Sequence, residues 1–229
     1  MRNIIDILKP IVEDIQPEVT VKSVTDNLDG SYTIETCGIY YLQTGFTIII
    51  NSVDYTVSNI TGNTILVIGS VLPPVQNFTL YAPYFFHGTV TQTNVELTSV
   101  EDAALKTPMV YLYETLKEKV LDPMESPVEF EAEVRLFFLT QANFADWKTA
   151  DYYGEAIKPM SILADLFKKA LDTAIGIGLL GDADRVSHTK FGVHINDKGY
   201  EKFLFNDHLS GVEVRMNIPI LNKFSCEIC

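Results

Sequence analysis

Three carboxylates on one face of a predicted β-strand are the first candidates for chemistry. Glu129, Glu131 and Glu133 alternate with apolar residues, so successive Cβ atoms are expected about 6–7 Å apart. A glycoside hydrolase needs two carboxylates about 5–9 Å apart across a cleft, and this spacing permits that chemistry. A regular row on one strand is more typical of a charged, solvated face, with Lys190 and Arg215 on neighbouring strands as partners. We therefore favour the solvated face over an active site.

Two cysteines near the C-terminus form a CxxC pair. Cys226 and Cys229 are of the type that supplies half of a zinc site or a redox couple. A zinc ion needs four ligands, and no second CxxC or nearby histidine pair supplies the others. With Cys37 they make three cysteines, and reduced thiols are the expected state. We expect no metal site and leave any role of the pair open.

The histidines are too far apart to share a metal ion. His188 and His194 lie six residues apart on one predicted strand, which separates their side chains by about 20 Å. His87 and His208 lie in predicted loops. No function is assigned to any of the four.

An aromatic group also has two interpretations. Trp147 with Tyr152 and Tyr153 can form a platform that stacks on a sugar, but a core or interface cluster is the commoner arrangement.

Gly176 and Gly178 follow a predicted helix and so end it, whereas a nucleotide-binding glycine loop precedes one. The chain also lacks nucleophile-elbow, phosphate-loop and HExxH motifs. We predict that the protein is not an enzyme and has no catalytic, cofactor-binding or metal-binding residues.

The balance of charge limits the possible partners. The chain has 229 residues, with 17 Lys and Arg against 30 Asp and Glu, which gives a net charge of −13. Such an acidic surface repels phosphate, which argues against a protein that grips DNA or an anionic membrane. Hydrophobic residues make up 47% of the chain, which excludes a disordered protein and indicates that partners cover part of the surface.

Neither a membrane span nor a signal peptide is expected. No run reaches the ~18 apolar residues of a spanning helix. Asp6 interrupts the apolar part of the N-terminal segment, unlike a signal sequence. We expect a soluble protein that is intracellular or bound in an assembly.

The distribution of charge predicts the domains. Only six charged residues lie between Val19 and Ser99, and none lies in the 41 residues from Tyr55 to Val95. We predict an N-terminal helix at 1–17, interrupted by Pro10, a small β-barrel module of the SH3 or OB type at 18–90, and an α+β module at 91–229. The barrel is expected to be inserted after the first helix.

The barrel is predicted from short β-branched runs separated by turn residues. Its strands are expected at Tyr32–Thr36, Gly45–Ile50, Tyr55–Ile60 and Thr64–Ile68. The expected turns are Asp29-Gly30, Asn51-Ser52 and Gly62-Asn63.

The second module is predicted to mix helices with alternating strands. Helices are expected to start at Thr98, which with Glu101 forms a capping box, at Thr107-Pro108, and at about Lys158. Alternating strands are expected at Val128–Leu139, Val186–Ile195 and Ser210–Ile220. The fold class is therefore α+β, with helices packed on one face of an antiparallel sheet and the opposite, polar face left open. That face carries Glu213 and Arg215 as well as the glutamate row.

Several phrases of the sequence resemble a known class of proteins. They are TPMVYLYE, EVRLFFLTQANFADWKTADYYGEAIKPM, TKFGVHINDKG and FNDHLSGVEVRMNIPI, together with GFTIIINSVDYTVSNITGNTI in the barrel stretch. They resemble virion proteins of tailed bacteriophages, in particular the ring-forming neck and tail proteins of crAss-like phages that infect Bacteroidetes. The order of elements in the second module is also similar to that of tail-terminator or tail-completion proteins. The barrel and the CxxC tail lie outside the terminator pattern.

The resemblance implies a structural virion protein. It would form a homo-oligomeric ring in the neck or tail, as a head–tail connector, with other neck and tail proteins as partners. DNA would pass through the channel without specific binding, and no membrane would be involved. The protein would be located in the virion, after assembly in the host cytoplasm. The uncharged stretch Tyr55–Val95 favours the same interpretation, because charges are depleted from interface cores, although β-propensity explains part of it.

Two alternatives belong to other functional classes. One is a carbohydrate- or receptor-binding module of a tail fibre that uses the aromatic residues. The other is a small glycan hydrolase that uses Glu129–Glu133. Monomeric behaviour with sugar affinity favours the first, and turnover of a polysaccharide favours the second.

Overall fold

The computed structural model describes residues 3–99, 106–114, 117–121, 128–195 and 201–221. The protein is mixed α+β, and strands outweigh helices. It forms two units: among the described residues, the smaller is Gln16–Ala82, and the larger combines those before Gln16 with those after Ala82. The smaller unit thus interrupts the sequence of the larger one. Its end differs from the predicted boundary at 90, because the strand Tyr84–Gly88 belongs to the larger unit.

The smaller unit is built from strands. They are β1 (Glu18–Val19), β2 (Val21–Asp26), β3 (Ser31–Thr36), β4 (Thr47–Ile50), β5 (Val53–Thr61), β6 (Thr64–Ile68) and β7 (Phe78–Thr79). Five of them form an antiparallel sheet in the order β2-β3-β6-β5-β4, and β1 pairs with β7. Alternate residues such as Ile48 and Ile50 are buried, which places one face of the sheet in the core of this unit.

The three predicted turns join these strands and are confirmed. Asp29-Gly30 connects β2 to β3, Asn51-Ser52 connects β4 to β5, and Gly62-Asn63 connects β5 to β6. Asn51 and Ser52 have φ angles of 52° and 65°, the left-handed conformation of a tight hairpin turn. Turn chemistry therefore determines the register of the sheet here.

The larger unit places helices around a longer sheet. Its elements are α1 (Ile4–Glu13), β8 (Tyr84–Gly88), α2 (Val90–Ser99), β9 (Met109–Tyr113), β10 (Lys117–Val120), β11 (Val128–Gln141), α3 (Lys158–Thr173), β12 (Ala183–Phe191), β13 (Val193–Ile195), β14 (Glu201–Phe203) and β15 (Leu209–Leu221). A short helix, Thr149–Asp151, and a π-helical turn, Tyr152–Ile157, lead into α3.

The central sheet has the order β12-β15-β11-β9-β8, and β10 also pairs with β11. Every pair in it is antiparallel except β8 with β9, which is parallel, so the sheet is mixed and not purely antiparallel as predicted. β13 and β14 form a separate hairpin.

One face of this sheet packs against α1 and α3. The even-numbered residues of β11 from Phe130 to Phe138 are buried there, as predicted, and so are Leu163, Phe167 and Leu171 of α3. The rings of Phe138 and Phe167 lie 5.5 Å apart. The apolar stripe of α3 is thus explained by its contact with the sheet.

The helix predicted to start at Thr107-Pro108 is wrong. The chain there forms β9, and Met109, Val110, Tyr111 and Leu112 are all buried between β8 and β11. A continuous apolar run is compatible with either a helix or a fully buried strand. This run forms a strand because it lies between two other strands of the sheet. Thr98 also does not start a helix: it lies in the last turn of α2, where its hydroxyl donates to the carbonyl of Asn94, and Glu101 lies outside the described residues.

The second face of the sheet is open only in part, which corrects the prediction. A second buried cluster covers its other half and consists of Phe86, Leu97, Met109, Tyr111, Phe137, Leu139, Phe205 and Leu209. Leu97 of α2 contributes from above the sheet. Helices therefore lie on both faces, and the polar face is limited to the part of β11 from Glu129 to Arg135.

The predicted strand Val186–Ile195 is interrupted. β12 ends at Phe191, and β13 begins at Val193 after Gly192, whose φ is 72°. A Cβ at this glycine would lie 2.6 Å from the Phe205 ring. Both the left-handed conformation and the close ring require glycine, so His188 and His194 are on different strands.

Candidate functional site

A buried carboxylate lies on the polar face of the central sheet. The Glu213 side chain on β15 is only 1% exposed, and three basic groups surround it. Arg135 Nε donates to Oε1, Arg135 Nη2 donates to Oε2 at 3.2 Å, and Arg215 Nε donates to Oε1 at 2.5 Å. His188 Nε2 lies 2.8 Å from Oε2. We call these four residues the Glu213 cluster.

Strand register explains why the Glu213 cluster exists. Arg135 of β11 and Arg215 of β15 are directly opposite each other, and like charges in that position repel. Glu213, two residues from Arg215, accepts hydrogen bonds from both guanidinium groups and relieves the repulsion. Arg135 also lies over the rings of Phe137 and Tyr113, at 5.0 and 5.7 Å from their centres.

The electrostatics of the cluster keep Glu213 ionised. Burial on its own would raise the pKa of the carboxyl, but hydrogen bonds from Arg135, Arg215 and His188 outweigh it and lower the pKa to about 2. The same contact raises the pKa of Arg215. A carboxylate that is ionised near neutral pH and already accepts four contacts is suited to holding strands together, and less suited to proton transfer.

The glutamate row lies beside a basic strand. Lys117 Nζ of β10 is 3.6 Å from the Glu133 carboxylate, and Lys119 is directly opposite Glu131. The partners are therefore on β10. Lys190 and Arg215, the partners expected from sequence, pair with Glu201 and Glu213 instead. Ion pairs along an exposed strand are typical of a charged, solvated face.

The structure separates the four histidines. His188 joins the Glu213 cluster, whereas His194 is exposed on β13. His87 is exposed on β8, and the ring of His208 stacks on that of Phe144 at 4.5 Å and 4°.

The structure brings two of the three aromatic candidates together. Trp147 meets Tyr152 edge to face at 5.5 Å, and Phe144 lies 6.1 Å from Tyr152. Tyr152 is buried, and its hydroxyl has no hydrogen-bond partner among the described residues. Tyr153 is half exposed. Trp147 and Tyr152 therefore pack together, which is the arrangement favoured from the sequence over a sugar platform.

The cysteine pair lies outside the described residues, and Cys37 is an exposed free thiol. Within the described ranges, no three His, Cys, Asp or Glu side chains are grouped so that they could hold a metal ion. Over the same part of the chain, no helix is both long and apolar enough to cross a membrane.

Sequence reasoning missed two surface features. Glu213 was expected to be exposed. Its burial could have been predicted if Arg135 and Arg215 had been recognised as directly opposite each other on neighbouring strands. Ile175 and Leu179, in the glycine-rich loop after α3, are fully exposed. Periodicity carries no information about such a loop, because its residues belong to no regular element.

Comparison of this chain with protein-family models, curated proteins and solved structures finds no match. The assignment of function therefore depends on the residues and on the sequence resemblance.

Proposed function

We propose that this protein is a structural component of a tailed-phage virion and assembles into a homo-oligomeric ring in the neck or tail. In this proposal the larger unit is a terminator-like module, and the smaller unit is an SH3- or OB-like barrel inserted after the first helix. DNA passes through the ring, and other neck and tail proteins contact it. The sequence phrases and the α+β organisation support the proposal.

The observation that carries it is an uncharged, apolar surface on the smaller unit. Large apolar residues in and after β6 are each at least half exposed: Ile68, Val71, Leu72, Val75 and Tyr81. All five lie in the stretch from Tyr55 to Val95 that has no charged residue. We call them the uncharged surface. Large exposed apolar residues that are close together in sequence and free of charged neighbours have the composition of an interface core, which is depleted of charge.

Net charge makes this surface suitable for contact between copies. Each copy carries −13, so copies repel one another, and a contact must supply enough attraction to outweigh that repulsion. The uncharged surface brings apolar area to the contact without adding to the repulsion.

The experiment measures assembly directly. Light scattering and negative-stain electron microscopy of the purified protein should show a closed ring, and a stable monomer at tens of micromolar would contradict the proposal. Leu72→Asp combined with Val75→Asp should weaken assembly at least tenfold. Leu28→Asp is the matched control, because Leu28 is 90% exposed in the same unit but lies in the β2–β3 turn outside the uncharged surface.

A carbohydrate-binding module is the second candidate, and one observation favours it. Phe203 is partly exposed beside Phe144, and the ion pair of Lys190 with Glu201 lies next to these rings. Ring faces with adjacent polar groups are the usual composition of a sugar site. Calorimetric titration with host polysaccharide tests it: binding by a monomer that Phe203→Ala abolishes would favour this candidate over the ring.

A further inference from the structure

Among the described residues, three strands of the central sheet pair on one side only, and two of them, β10 and β12, are exposed along that edge. Over this part of the chain, β12 pairs only with β15, and β10 pairs only with β11. The residues Asp184–Ser187 and Lys117–Val120 are all exposed. Such an edge presents free backbone N–H and C=O groups to which another strand can bind.

The two edges lie on opposite sides of the β11–β15 pair and run in opposite directions. β10 is antiparallel to β11, β11 to β15, and β15 to β12, so β10 is antiparallel to β12. If a second copy continues the sheet with the same face outward, its β12 meets the first copy's β10 as an antiparallel strand. Because β8 already pairs with β9 on the same side of β11, the contact is limited to the part of β12 that lies opposite β10.

The side chains of both edges are sorted by face. Residues directly opposite each other in a sheet share a face, so Lys119 shares the polar face with Glu131, and Asp184 shares it with Arg215. Glu118 is opposite Ala132, on the face that packs against the helices.

Arg185 is on that helix-packed face too. It is opposite Val214 and pairs with Asp165 of α3. The charges on β10 are therefore basic on the polar face, at Lys119, and acidic on the helix-packed face, at Glu118. The charges on β12 are acidic on the polar face, at Asp184, and basic on the helix-packed face, at Arg185.

We propose that β10 of one copy pairs with β12 of the next, with Glu118 opposite Arg185. Antiparallel pairing in that register places Lys119 opposite Asp184, so both faces match in charge. A shift by one residue in one direction would place Glu118 opposite Asp184 and Lys117 opposite Arg185, and a shift in the other direction would place Lys119 opposite Arg185, so like charges meet in either case. Charged side chains on an edge strand usually prevent pairing with other strands. Here the charges on the two edges are complementary, so they favour a second copy of this chain as the partner, in one register.

This contact deepens the proposed function and rests on it. It is heterologous, because a different surface of each copy is used, and heterologous contacts generate rings when the rotation between copies closes. The sheet would then continue from copy to copy around the ring.

Charge reversal with rescue tests the pairing. Asp184→Lys and Lys119→Asp each place like charges opposite each other, and each should raise the concentration for half-assembly at least tenfold in sedimentation velocity. The double variant restores opposite charges and should return to within threefold of wild type. Asp172→Lys on α3 is the control for Asp184→Lys, because it makes the same change of net charge at an exposed site outside both edge strands. Circular dichroism and thermal unfolding verify that each variant is folded.

Hydrogen exchange provides an independent measurement. In the assembled wild type, the amides of Asp184–Ser187 and Lys117–Val120 that point away from β15 and β11 should be protected, and these amides should exchange rapidly in the dissociated Asp184→Lys variant. A wild type that remains monomeric would overturn both the ring and this pairing. A ring that the single variants leave intact, or that the double variant fails to restore, would overturn the pairing alone.

Discussion

Glu213 lies at an alternating position of β15 that sequence reasoning assigns to solvent, yet its side chain is buried. The side chains of the two arginines and of His188 cover the carboxylate and remain partly exposed themselves. Long basic side chains cover apolar surface and neighbouring groups with their stems while their charged ends reach water. A polar sheet face can therefore bury a charge without any apolar layer above it.

Replacing this carboxylate should destabilise the larger unit. Glu213→Gln removes the negative charge between Arg135 and Arg215 and leaves one neutral acceptor oxygen in place of two charged ones, and we expect a loss of about 2 kcal/mol in the free energy of unfolding. Urea unfolding followed by circular dichroism measures it. Glu133→Gln is the control, because its ion pair with Lys117 is exposed and should cost less than about 0.5 kcal/mol. Equal effects of the two substitutions would contradict the special role of Glu213.

The same carboxylate predicts a pH dependence. The pKa of Glu213 is about 2 in the folded protein and lies below the ordinary value of 4.5, so its contribution to stability is complete above pH 4.5. That contribution is lost as the pH falls toward 2, because the unfolded state then binds a proton that the folded state does not. The stability difference between wild type and Glu213→Gln should shrink between pH 4.5 and pH 2. A difference that stays constant over this range would contradict the low pKa.

Gly211 provides a prediction about backbone packing. A Cβ at this position of β15 would lie 1.9 Å from the carbonyl oxygen of Phe138, a backbone atom that cannot move aside. Gly211→Ala should therefore lose about 2–4 kcal/mol of unfolding free energy, measured by urea unfolding. Gly181→Ala, where nothing lies within 4 Å of the added carbon, should change stability by less than about 1 kcal/mol. A tolerated Gly211→Ala would show that β11 and β15 are farther apart here.

At the scale of elements, the parts that sequence predicted best are those that local rules determine. The hairpins of the smaller unit follow from Asn51-Ser52 and Gly62-Asn63, since positive φ angles and short loops leave little freedom of register. The α3 helix follows from its apolar stripe. Neither inference depends on distant parts of the chain.

The elements that sequence missed are those whose environment is tertiary. β9 has four consecutive buried apolar residues because it lies between two other strands, and nothing local distinguishes this from a buried helix. The candidate site has the same limit. Glu213 was identified as a polar-face residue, but its burial depends on Arg135, 78 residues away in the chain. The position of His188 beside it depends on strand register, which sequence patterns leave open.

The second buried cluster predicts how much α2 contributes to stability. Leu97 is fully buried against the sheet, so Leu97→Ala should cost about 3 kcal/mol in chemical unfolding. Val95 on the same helix is 67% exposed, and Val95→Ala should remain within about 0.5 kcal/mol of wild type. Similar values for both substitutions would mean that α2 does not cover this face.

We expect that removing the two C-terminal cysteines changes neither stability nor assembly. Because no further metal ligands were found beside Cys226 and Cys229 in sequence, replacing both with serine should leave thermal unfolding and assembly as in the wild type. Stoichiometric zinc in the purified protein, lost together with stability in the double variant, would contradict this. Ligands from neighbouring subunits are the arrangement that such a result would indicate.

At the scale of the whole molecule, charge determines whether a ring of this protein binds or repels DNA. A channel rich in Lys and Arg would hold phosphate with a strongly salt-dependent affinity and slow the passage of the duplex. Each copy instead carries −13, an excess of 13 acidic groups over basic ones.

We therefore expect a net negative channel and no measurable affinity for duplex DNA at physiological salt. Repulsion between an acidic channel wall and phosphate lets the duplex slide instead of being held. Titration of labelled duplex into the protein, after light scattering has established its oligomeric state, measures this. Lowering the salt concentration should not reveal binding, because weaker screening strengthens repulsion between like charges as much as it strengthens attraction between opposite ones. A sub-micromolar affinity that weakens with added salt would show instead that basic residues line the channel and that the acidic groups face outward.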